Sequence, residues 1–252
     1  MELYKKHRPK TFNEIIGNES AVSSLKQMIQ NKSIPHTLLF SGPSGNGKTT
    51  LARILAHELG AEITEMNMSH KEMRGIDGAN ELISKLGYKS LTGKKRVIIL
   101  DEVDQATKDW QKAMKKPLED CPSHIYFFLC TTMPEKLIKD IHTRSTQIQV
   151  STINNRDLAI YLKTISEKEG IEVERSILRK VSESAKGSVR KAMVLLDQVL
   201  QVDSDKREDL IKTIHIEDNE QVIDLCRALL NKSSWGSIRI ILKGLNLIMR
   251  LI

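Results

Sequence analysis

The chain has 252 residues, of which 40% are hydrophobic and 28% charged, a composition typical of a folded protein and not of a disordered one. Lys and Arg outnumber Asp and Glu by 39 to 32, so the charge permits a polyanionic partner without establishing one. The three cysteines form no C-x-x-C pair, which argues against a disulfide scaffold, and the sequence has no signal-peptide pattern, so we predict a cytoplasmic protein. No apolar run approaches the ~20 residues that a membrane span requires, which excludes a membrane protein.

The first part of the chain alternates apolar strand patterns with helical ones. Residues 37–40 predict a short strand, a Gly-rich turn follows, and residues 48–58 repeat Leu and Ile at helical spacing. The alternation continues with strands at 63–67, 96–100, 125–130 and 147–150 and with helices at 79–86 and 109–119. Continuous apolar strands separated by helices indicate a parallel sheet covered on both faces. We therefore predict an α/β domain with a five-stranded parallel sheet, in which Pro117 kinks the last of these helices or ends it early.

After residue 151 the strand patterns stop. Helical patterns follow at 155–169, 174–184 and 188–202, and two further apolar patterns at 219–230 and 235–252 belong cleanly to neither unit. We expect an α/β domain at 1–150, a small helical domain at 151–217 and the start of a third, helical unit at 218–252.

The turn after the first predicted strand carries the complete phosphate-loop motif G-x-x-x-x-G-K-[ST], known as Walker A. Its residues are Gly42, Pro43, Ser44, Gly45, Asn46, Gly47, Lys48 and Thr49, followed on the helix by Thr50. Glycines let backbone N–H groups turn toward phosphates, and the helix N-terminus adds its positive end. We expect Lys48 to reach the β- and γ-phosphates and the Thr49 hydroxyl to hold Mg²⁺. The alternative is a Gly-rich turn that only caps a helix.

A second motif, of the Walker B type, indicates what the site does with a nucleotide. The apolar strand at 97–100 ends in Asp101 and Glu102, which this topology brings to the carboxyl edge of the sheet beside the phosphate loop. Asp101 is expected to bind Mg²⁺ through water, and Glu102 to polarise the attacking water as a general base. An acidic pair after a strand also caps helices, but together with the phosphate loop it predicts ATP hydrolysis.

The sequence around these motifs resembles the clamp-loader subunits of the AAA+ ATPases. The likeness rests on Tyr-Lys-Lys-His-Arg-Pro-Lys-Thr-Phe at 4–12, Ile-Ile-Gly-Asn-Glu at 15–19 and Ile-Pro-His at 34–36, and it continues to about Leu230. The resemblance implies a P-loop AAA+ core, a helical lid and the beginning of a truncated helical collar. In that family the opening segment wraps the adenine and ribose, which implies base binding by Tyr4, Arg8, Pro9 and Ile16. A strap that only packs on the sheet is the alternative.

The resemblance also implies three polar residues that respond to the phosphates. Thr132, after the strand 125–130, stands at the position called sensor 1, and Arg190 at the position called sensor 2. Arg144 stands where the family has the arginine of Ser-Arg-Cys, which reaches a neighbouring subunit's ATP; here Thr143 and Ser145 flank it. The alternatives are a turn cap for Thr132, a local salt bridge for Arg144 and an exposed helix face for Arg190.

The stretch between the two nucleotide motifs resembles the Asn-x-Ser-Asp and Arg-Gly-Ile-Asp of replication-factor-C-type small subunits. In that group this region lines the DNA channel, which implies that Lys71 and Arg74 contact DNA phosphates without reading bases. Arg74 could instead pair with Glu72 or Asp77 on the surface. Bacterial gamma-type subunits carry a four-cysteine zinc module here, whereas this chain has no cysteine between the motifs, so no zinc is expected.

Together these features imply an ATP-dependent clamp-loader subunit that hydrolyses ATP at subunit interfaces while a sliding clamp is loaded onto primer-template DNA. The implied partners are the clamp, the DNA and further subunits in a pentameric homo- or hetero-oligomer, in a bacterial, archaeal or virus-infected cell, or in a nucleus if the host is eukaryotic. Another AAA+ ATPase of DNA metabolism, such as a helicase loader or branch-migration motor, is one alternative. A non-hydrolysing stator subunit is the other, and intact Lys48, Thr49, Asp101 and Glu102 argue against it.

Overall fold

The computed structural model describes residues 2–87, 93–211 and 235–236 of the chain. These residues contain a five-stranded sheet formed by β1 (Thr37–Ser41), β2 (Glu62–Asn67), β3 (Arg96–Asp101), β4 (Ile125–Thr131) and β5 (Thr146–Gln149). The strands lie in the order β2-β3-β4-β1-β5, and each neighbouring pair is parallel. The predicted five-stranded parallel sheet is confirmed.

The helices of the described residues fall before, between and after the strands. They are α1 (Leu3–Lys6), α2 (Glu19–Gln30), α3 (Lys48–Glu58), α4 (Ile76–Leu86), α5 (Lys108–Ala113), α6 (Lys115–Glu119), α7 (Lys139–Thr143), α8 (Asn155–Lys168), α9 (Arg175–Ser184) and α10 (Val189–Leu200). Within this part of the chain, no helix is both long enough and apolar enough to cross a bilayer.

Helices cover both faces of the sheet, as its apolar central strands require. On one face Leu38 and Phe40 of β1 pack with Leu51 of α3. On the other face Leu39 of the same strand lies in a cluster with Trp110 of α5. Since successive strand residues point to opposite faces, a strand between two helical layers is buried throughout, which explains the continuous apolar pattern in the sequence.

The helix predicted at 109–119 is interrupted, as expected from Pro117. The structure divides it at Met114 into α5 and α6. Proline has no N–H to donate to the carbonyl of Ala113, four residues earlier, and its ring crowds that carbonyl, so a continuous α-helix is disfavoured there. The chain therefore turns between the two short helices, and α6 ends at Glu119.

A separate apolar core lies between α8, α9 and α10. Leu162, Val181 and Leu196, one from each helix, are fully buried in it. Leu3 of α1 is buried in the same core, so the first helix packs on the helical unit although it precedes the sheet in sequence. The domain limits at 150 and 217 stay a prediction. The unit expected at 218–252 lies outside the described residues, apart from positions 235 and 236.

The carboxyl ends of β3, β4 and β1 are neighbours at one edge of the sheet. β4 lies between the other two, with Leu129 opposite Leu100 of β3 and Thr131 opposite Ser41 of β1. Segments that follow these strands, far apart in the sequence, therefore meet at this edge. Binding sites of open α/β sheets characteristically form at such an edge.

Candidate nucleotide-binding site

The phosphate loop connects β1 to α3 in a conformation that requires glycine. Gly42, Gly45 and Gly47 have φ values of 147°, 77° and 94°, which favour a residue without a side chain. A Cβ on Gly42 would lie 1.9 Å from the carbonyl oxygen of Val150, and one on Gly45 would lie 2.4 Å from Oγ of Ser188. The loop is thus held by close approaches to the residue that follows β5 and to the helical unit.

Lys48, the first residue of α3, is buried with only 7% of its surface exposed. Its Nζ donates hydrogen bonds of 2.8 Å to the carbonyl oxygens of Gly42 and Pro43. Burial lowers the pKa of this ammonium, and the carboxylate of Asp101 is among the groups that oppose the shift. A buried cation whose hydrogen bonds go to neutral carbonyls gains strongly from an anion, so this loop is suited to a phosphate group.

The end of β3 brings two carboxylates to the phosphate loop. Oγ1 of Thr49 donates a 2.9 Å hydrogen bond to Oδ2 of Asp101, so the two predicted magnesium ligands are adjacent. Glu102 adopts a left-handed backbone conformation with φ 54° and ψ 42°, and its side chain is exposed in the cleft. This backbone state is uncommon for a residue with a side chain and concentrates at functional positions.

Hydroxyl and carboxylate oxygens of this kind fit Mg²⁺, a hard cation that prefers oxygen ligands and retains several waters. Thr49 and Asp101 supply two such donors at one point. The described residues contain no group of three or more His, Cys, Asp or Glu side chains able to hold a metal by themselves. The remaining ligands would come from phosphate oxygens and water, as is usual for nucleotide-bound magnesium.

The helical unit closes the cleft from the other side. The N–H of Arg190 donates to the carbonyl of Gly45 at 3.1 Å, and Oγ of Ser188 donates to the carbonyl of Ser44 at 3.3 Å. Oδ1 of Asn46 accepts a 3.4 Å hydrogen bond from the N–H of Val189. The first turn of α10 is therefore docked directly on the phosphate loop.

The N-terminal segment forms the remaining wall. Arg190 lies over the ring of Tyr4, with 5.7 Å between the guanidinium carbon and the ring centroid. The other residues predicted to contact the base, Arg8, Pro9 and Ile16, line the same cleft. The cleft thus brings together the predicted nucleotide-binding residues with three exceptions, Gly42, Pro43 and Arg144. The carbonyls of Gly42 and Pro43 nevertheless accept the hydrogen bonds of Lys48, which does line the cleft.

Several residues in the cleft or directly behind it were not predicted from the sequence. Tyr161 of α8 and Met193 of α10 line the cleft, but each follows a helical apolar pattern, which indicates only a buried face. Asp104 and Thr131 contact each other behind Thr132, which is exposed in the cleft. A signal was available for Asp104, since it is a third acid two residues after Glu102.

Arg144 lies at the end of α7, outside the cleft lining. Its Nε and Nη2 donate to Oε2 of Glu119 at 2.9 and 2.7 Å, and its Nη1 donates to Oδ1 of Asp140 at 3.1 Å. The hydrogen bond with Glu119 is the main cause of a raised pKa for this guanidinium. Within the single chain, Arg144 is thus engaged in a local ion pair, while its reach to a neighbouring subunit stays a prediction.

The two residues predicted to contact DNA lie on the turn before α4. Lys71 is exposed and Arg74 is partly exposed. In the described part of the chain, neither Glu72 nor Asp77 forms an ion pair with Arg74. The backbone carbonyl of Arg74 accepts a 2.9 Å hydrogen bond from the N–H of Thr107, which fixes this turn against the segment before α5.

Two family models match the chain. The model described as "ATPase family associated with various cellular activities (AAA)" matches residues 38–153, the segment with the sheet and both nucleotide motifs. The model described as "DNA polymerase III clamp loader subunit, ATPase lid domain" matches residues 157–202. The second match spans α9, α10 and most of α8.

Similar curated proteins come from archaea and bacteria. The replication factor C small subunit of Staphylothermus marinus is 31% identical, over 89% of this chain and 70% of that protein. The replication factor C small subunit of Methanosphaera stadtmanae is 35% identical, over 76% and 61%. The DNA polymerase III subunit gamma of Buchnera aphidicola is 30% identical, over 91% and 69%. The chain thus spans 61% to 70% of the length of these relatives.

Among solved structures, the Thermotoga maritima RuvB Holliday junction branch migration motor superposes with a TM-score of 0.69 at 21% identity, over 82% of this chain and 72% of that one. A variant of that protein gives 0.74 at 19% identity, over 95% and 86%. At these identities the likeness shows a shared fold alone.

Proposed function

Because this chain belongs to the clamp-loader subunits of the AAA ATPase family, we propose that it hydrolyses Mg²⁺-ATP at subunit interfaces to load a sliding clamp onto primed DNA. One observation supports this most directly. A single cleft is lined by the phosphate loop, by Asp101 and Glu102, by Thr132 and by Arg190 of the helical unit. This set supplies an ion site, a base and two phosphate-sensing groups.

Each residue has a role that follows from its position. The N–H groups of the loop and Lys48 hold the phosphates, while Thr49 and Asp101 hold the magnesium ion. When bound, Mg²⁺ neutralises charge that develops on the phosphate oxygens. Glu102 accepts a proton from the attacking water, and the hydroxyl of Thr132 orients that water or the γ-phosphate.

The arrangement of the helical unit relative to the sheet domain depends on whether a nucleotide occupies the cleft. Its helix α10 contacts the phosphate loop through the hydrogen bonds of Arg190, Ser188 and Val189, and α1 packs on its core through Leu3. ATP in the cleft would contact the loop, the N-terminal segment and Arg190 together. Binding would therefore favour one arrangement of the sheet domain and the helical unit, because a ligand shifts a domain equilibrium through contacts that differ between its two states.

The activity is tested by ATP turnover of the assembly formed with its companion subunits. We expect primed DNA and the sliding clamp together to increase turnover, because clamp loading couples hydrolysis to the completed complex. Stimulation by a four-way junction and not by primed DNA would favour a branch-migration motor. Absence of hydrolysis under all conditions would favour a stator subunit.

The DNA contact is tested by reversing charge at Lys71 and Arg74. The double change Lys71→Glu and Arg74→Glu should weaken binding to all DNA sequences alike and reduce the slope of log affinity against log salt by about one for each phosphate that the variant no longer neutralises. Lys163→Glu, at an exposed position on α8, is the matched control. An unchanged salt slope in the double variant would remove this turn from the DNA site.

Arg144 is proposed to act on the ATP of a neighbouring subunit after leaving Glu119. Arg144→Ala should leave ATP binding by the single subunit unchanged and lower turnover of the assembly by on the order of 10²-fold or more. Arg179→Ala is the control, since Arg179 also forms an ion pair on its own chain and is 79% exposed.

A mixing experiment separates action in trans from a local role. At an interface where an Arg144→Ala subunit binds ATP and a Glu102→Gln neighbour contributes its intact Arg144, a complete site is restored. We expect mixed assemblies to recover part of the activity that each variant lacks alone. No recovery at any mixing ratio would show that Arg144 acts within its own chain.

A further inference from the structure

A buried carboxylate joins the ends of β3 and β4 just behind the cleft. Asp104 belongs to the 3₁₀ turn Val103–Gln105 that follows β3 and is only 8% exposed. Its Oδ1 accepts a 2.6 Å hydrogen bond from Oγ1 of Thr131 and a 3.3 Å hydrogen bond from the N–H of Thr132. The carboxylate therefore holds the predicted sensor and the residue before it without lining the cleft itself.

Thr131 continues this network. It is the last residue of β4 and is 1% exposed. While its hydroxyl donates to Asp104, the same oxygen accepts a 3.0 Å hydrogen bond from the N–H of Met133. The turn that presents Thr132 is thus fixed by hydrogen bonds before, at and after that residue. A hydroxyl that both donates and accepts has one preferred rotamer, which makes the arrangement rigid.

Glu102 precedes the same 3₁₀ turn, and its carbonyl accepts a 2.9 Å hydrogen bond from the N–H of Gln105 in that turn. Glu102 occupies a left-handed conformation, and its N–H donates a 3.0 Å hydrogen bond to Oδ1 of Asp101. The 3₁₀ turn begins at the next residue, and Asp104 anchors that turn to β4. Hydrogen bonds to a charged, buried acceptor are short and strong, whereas removal of their partner leaves a costly unpaired charge. Glu102 is thus connected to the turn that presents Thr132 through the 3₁₀ turn, which Asp104 links to Thr131 and Thr132.

We propose that Asp104 and Thr131 are positioning residues for ATP hydrolysis, which hold Glu102 and Thr132 in the geometry that the reacting γ-phosphate requires. This inference rests on the ATPase function proposed above. Displacement of reacting groups by about 1 Å can lower a rate by roughly 10²-fold. The Asp104 carboxylate and the Thr131 hydroxyl bond to each other and to the N–H groups of Thr132 and Met133. We therefore expect their replacement to affect the chemical step and to leave ground-state binding nearly intact.

The test compares Thr131→Val with Thr131→Ser in the complete assembly. Valine keeps the volume of threonine but removes the hydroxyl, whereas serine keeps the hydroxyl. We expect Thr131→Val to lower kcat by roughly 10- to 100-fold with less than about a threefold change in the dissociation constant for ATP, and Thr131→Ser to restore most of the rate. Asp104→Asn should also be milder than Asp104→Ala, because the amide oxygen can still accept from Thr131 and Thr132.

A second readout does not depend on turnover. Binding of ADP with aluminium fluoride, which imitates the phosphate in the transition state, should weaken in Thr131→Val, while binding of ADP alone should not. Asp109→Asn, at an acid on α5 that is 73% exposed, is the control, and thermal unfolding checks that each variant is folded.

Three results would overturn the inference: a wild-type rate in Thr131→Val, equal losses for valine and serine, or an equal loss of ADP and aluminium-fluoride binding. A wild-type assembly that does not hydrolyse ATP would instead contradict the proposed function, so the two failures are distinguishable.

Discussion

Replacing Lys48 with alanine is expected to abolish tight ATP binding. The Nζ of Lys48 is buried at the start of α3 and donates to the carbonyls of Gly42 and Pro43, so it is already held where the phosphates would enter. Removing one partner of a buried charge pair costs about 3–5 kcal/mol, or roughly 10²- to 10⁴-fold in affinity. Titration with a fluorescent ATP analogue measures the loss.

The same variant should not destabilise the empty protein. Without nucleotide the buried ammonium has no phosphate counter-charge, and burial lowers its pKa, so its removal relieves a desolvation cost. We expect the thermal midpoint of empty Lys48→Ala to equal or exceed that of the wild type, while the increase on adding ATP disappears. Lys112→Ala, at an exposed lysine of α5, should retain that increase. Normal ATP affinity in Lys48→Ala would contradict the assignment of the phosphate loop.

Glu102→Gln is expected to bind ATP normally and to hydrolyse it about 10²- to 10⁴-fold more slowly. Glutamine keeps the shape of the side chain and the left-handed backbone but cannot accept the proton of the attacking water. The neighbouring hydrogen bond between Thr49 and Asp101 does not involve Glu102, so the ion site should survive. Single-turnover hydrolysis and equilibrium ATP binding, measured on the same preparation, separate the two effects.

Glu135→Gln is a suitable control because this acid lies outside the cleft, on the 3₁₀ turn Pro134–Lys136. Its turnover should match the wild type. If Glu102→Gln also turns over near the wild-type rate, another group is the base, and the left-handed conformation of Glu102 would need a different explanation. If Glu102→Gln loses ATP binding, Glu102 contributes to ground-state binding and its effect is not confined to the chemical step.

Features encoded by consecutive residues were predictable from the sequence. The phosphate loop from Gly42 to Thr49 and the acids that end β3 are continuous motifs, and each lies where a strand pattern meets its next element. The continuous apolar stretches of the central strands predicted a parallel sheet, because burial on both faces disfavours polar residues on either face. Even the interruption of the helix before Glu119 followed from Pro117, since the missing N–H is a property of that one residue.

Interactions between distant segments were decided by the tertiary structure. Asp104 meets Thr131 across 27 residues, and Arg144 meets Glu119 across 25. The first pair exists because β4 lies beside β3 in the sheet, and the second because α6 and α7 pack against each other. Sequence periodicity states which face of an element is buried, but it does not state which element covers that face.

The docking of α10 on the phosphate loop illustrates the same limit. From the sequence, Gly45 is predicted to let backbone N–H groups turn toward a phosphate. In the structure, its lack of a side chain also leaves room for Ser188 and Arg190 of the helical unit. The chemistry of the site was therefore determined by local sequence, because the ability to bind a phosphate or accept a proton belongs to individual groups. Their mutual positions were determined only by strand order and domain packing, because these depend on how the whole chain buries its apolar surface.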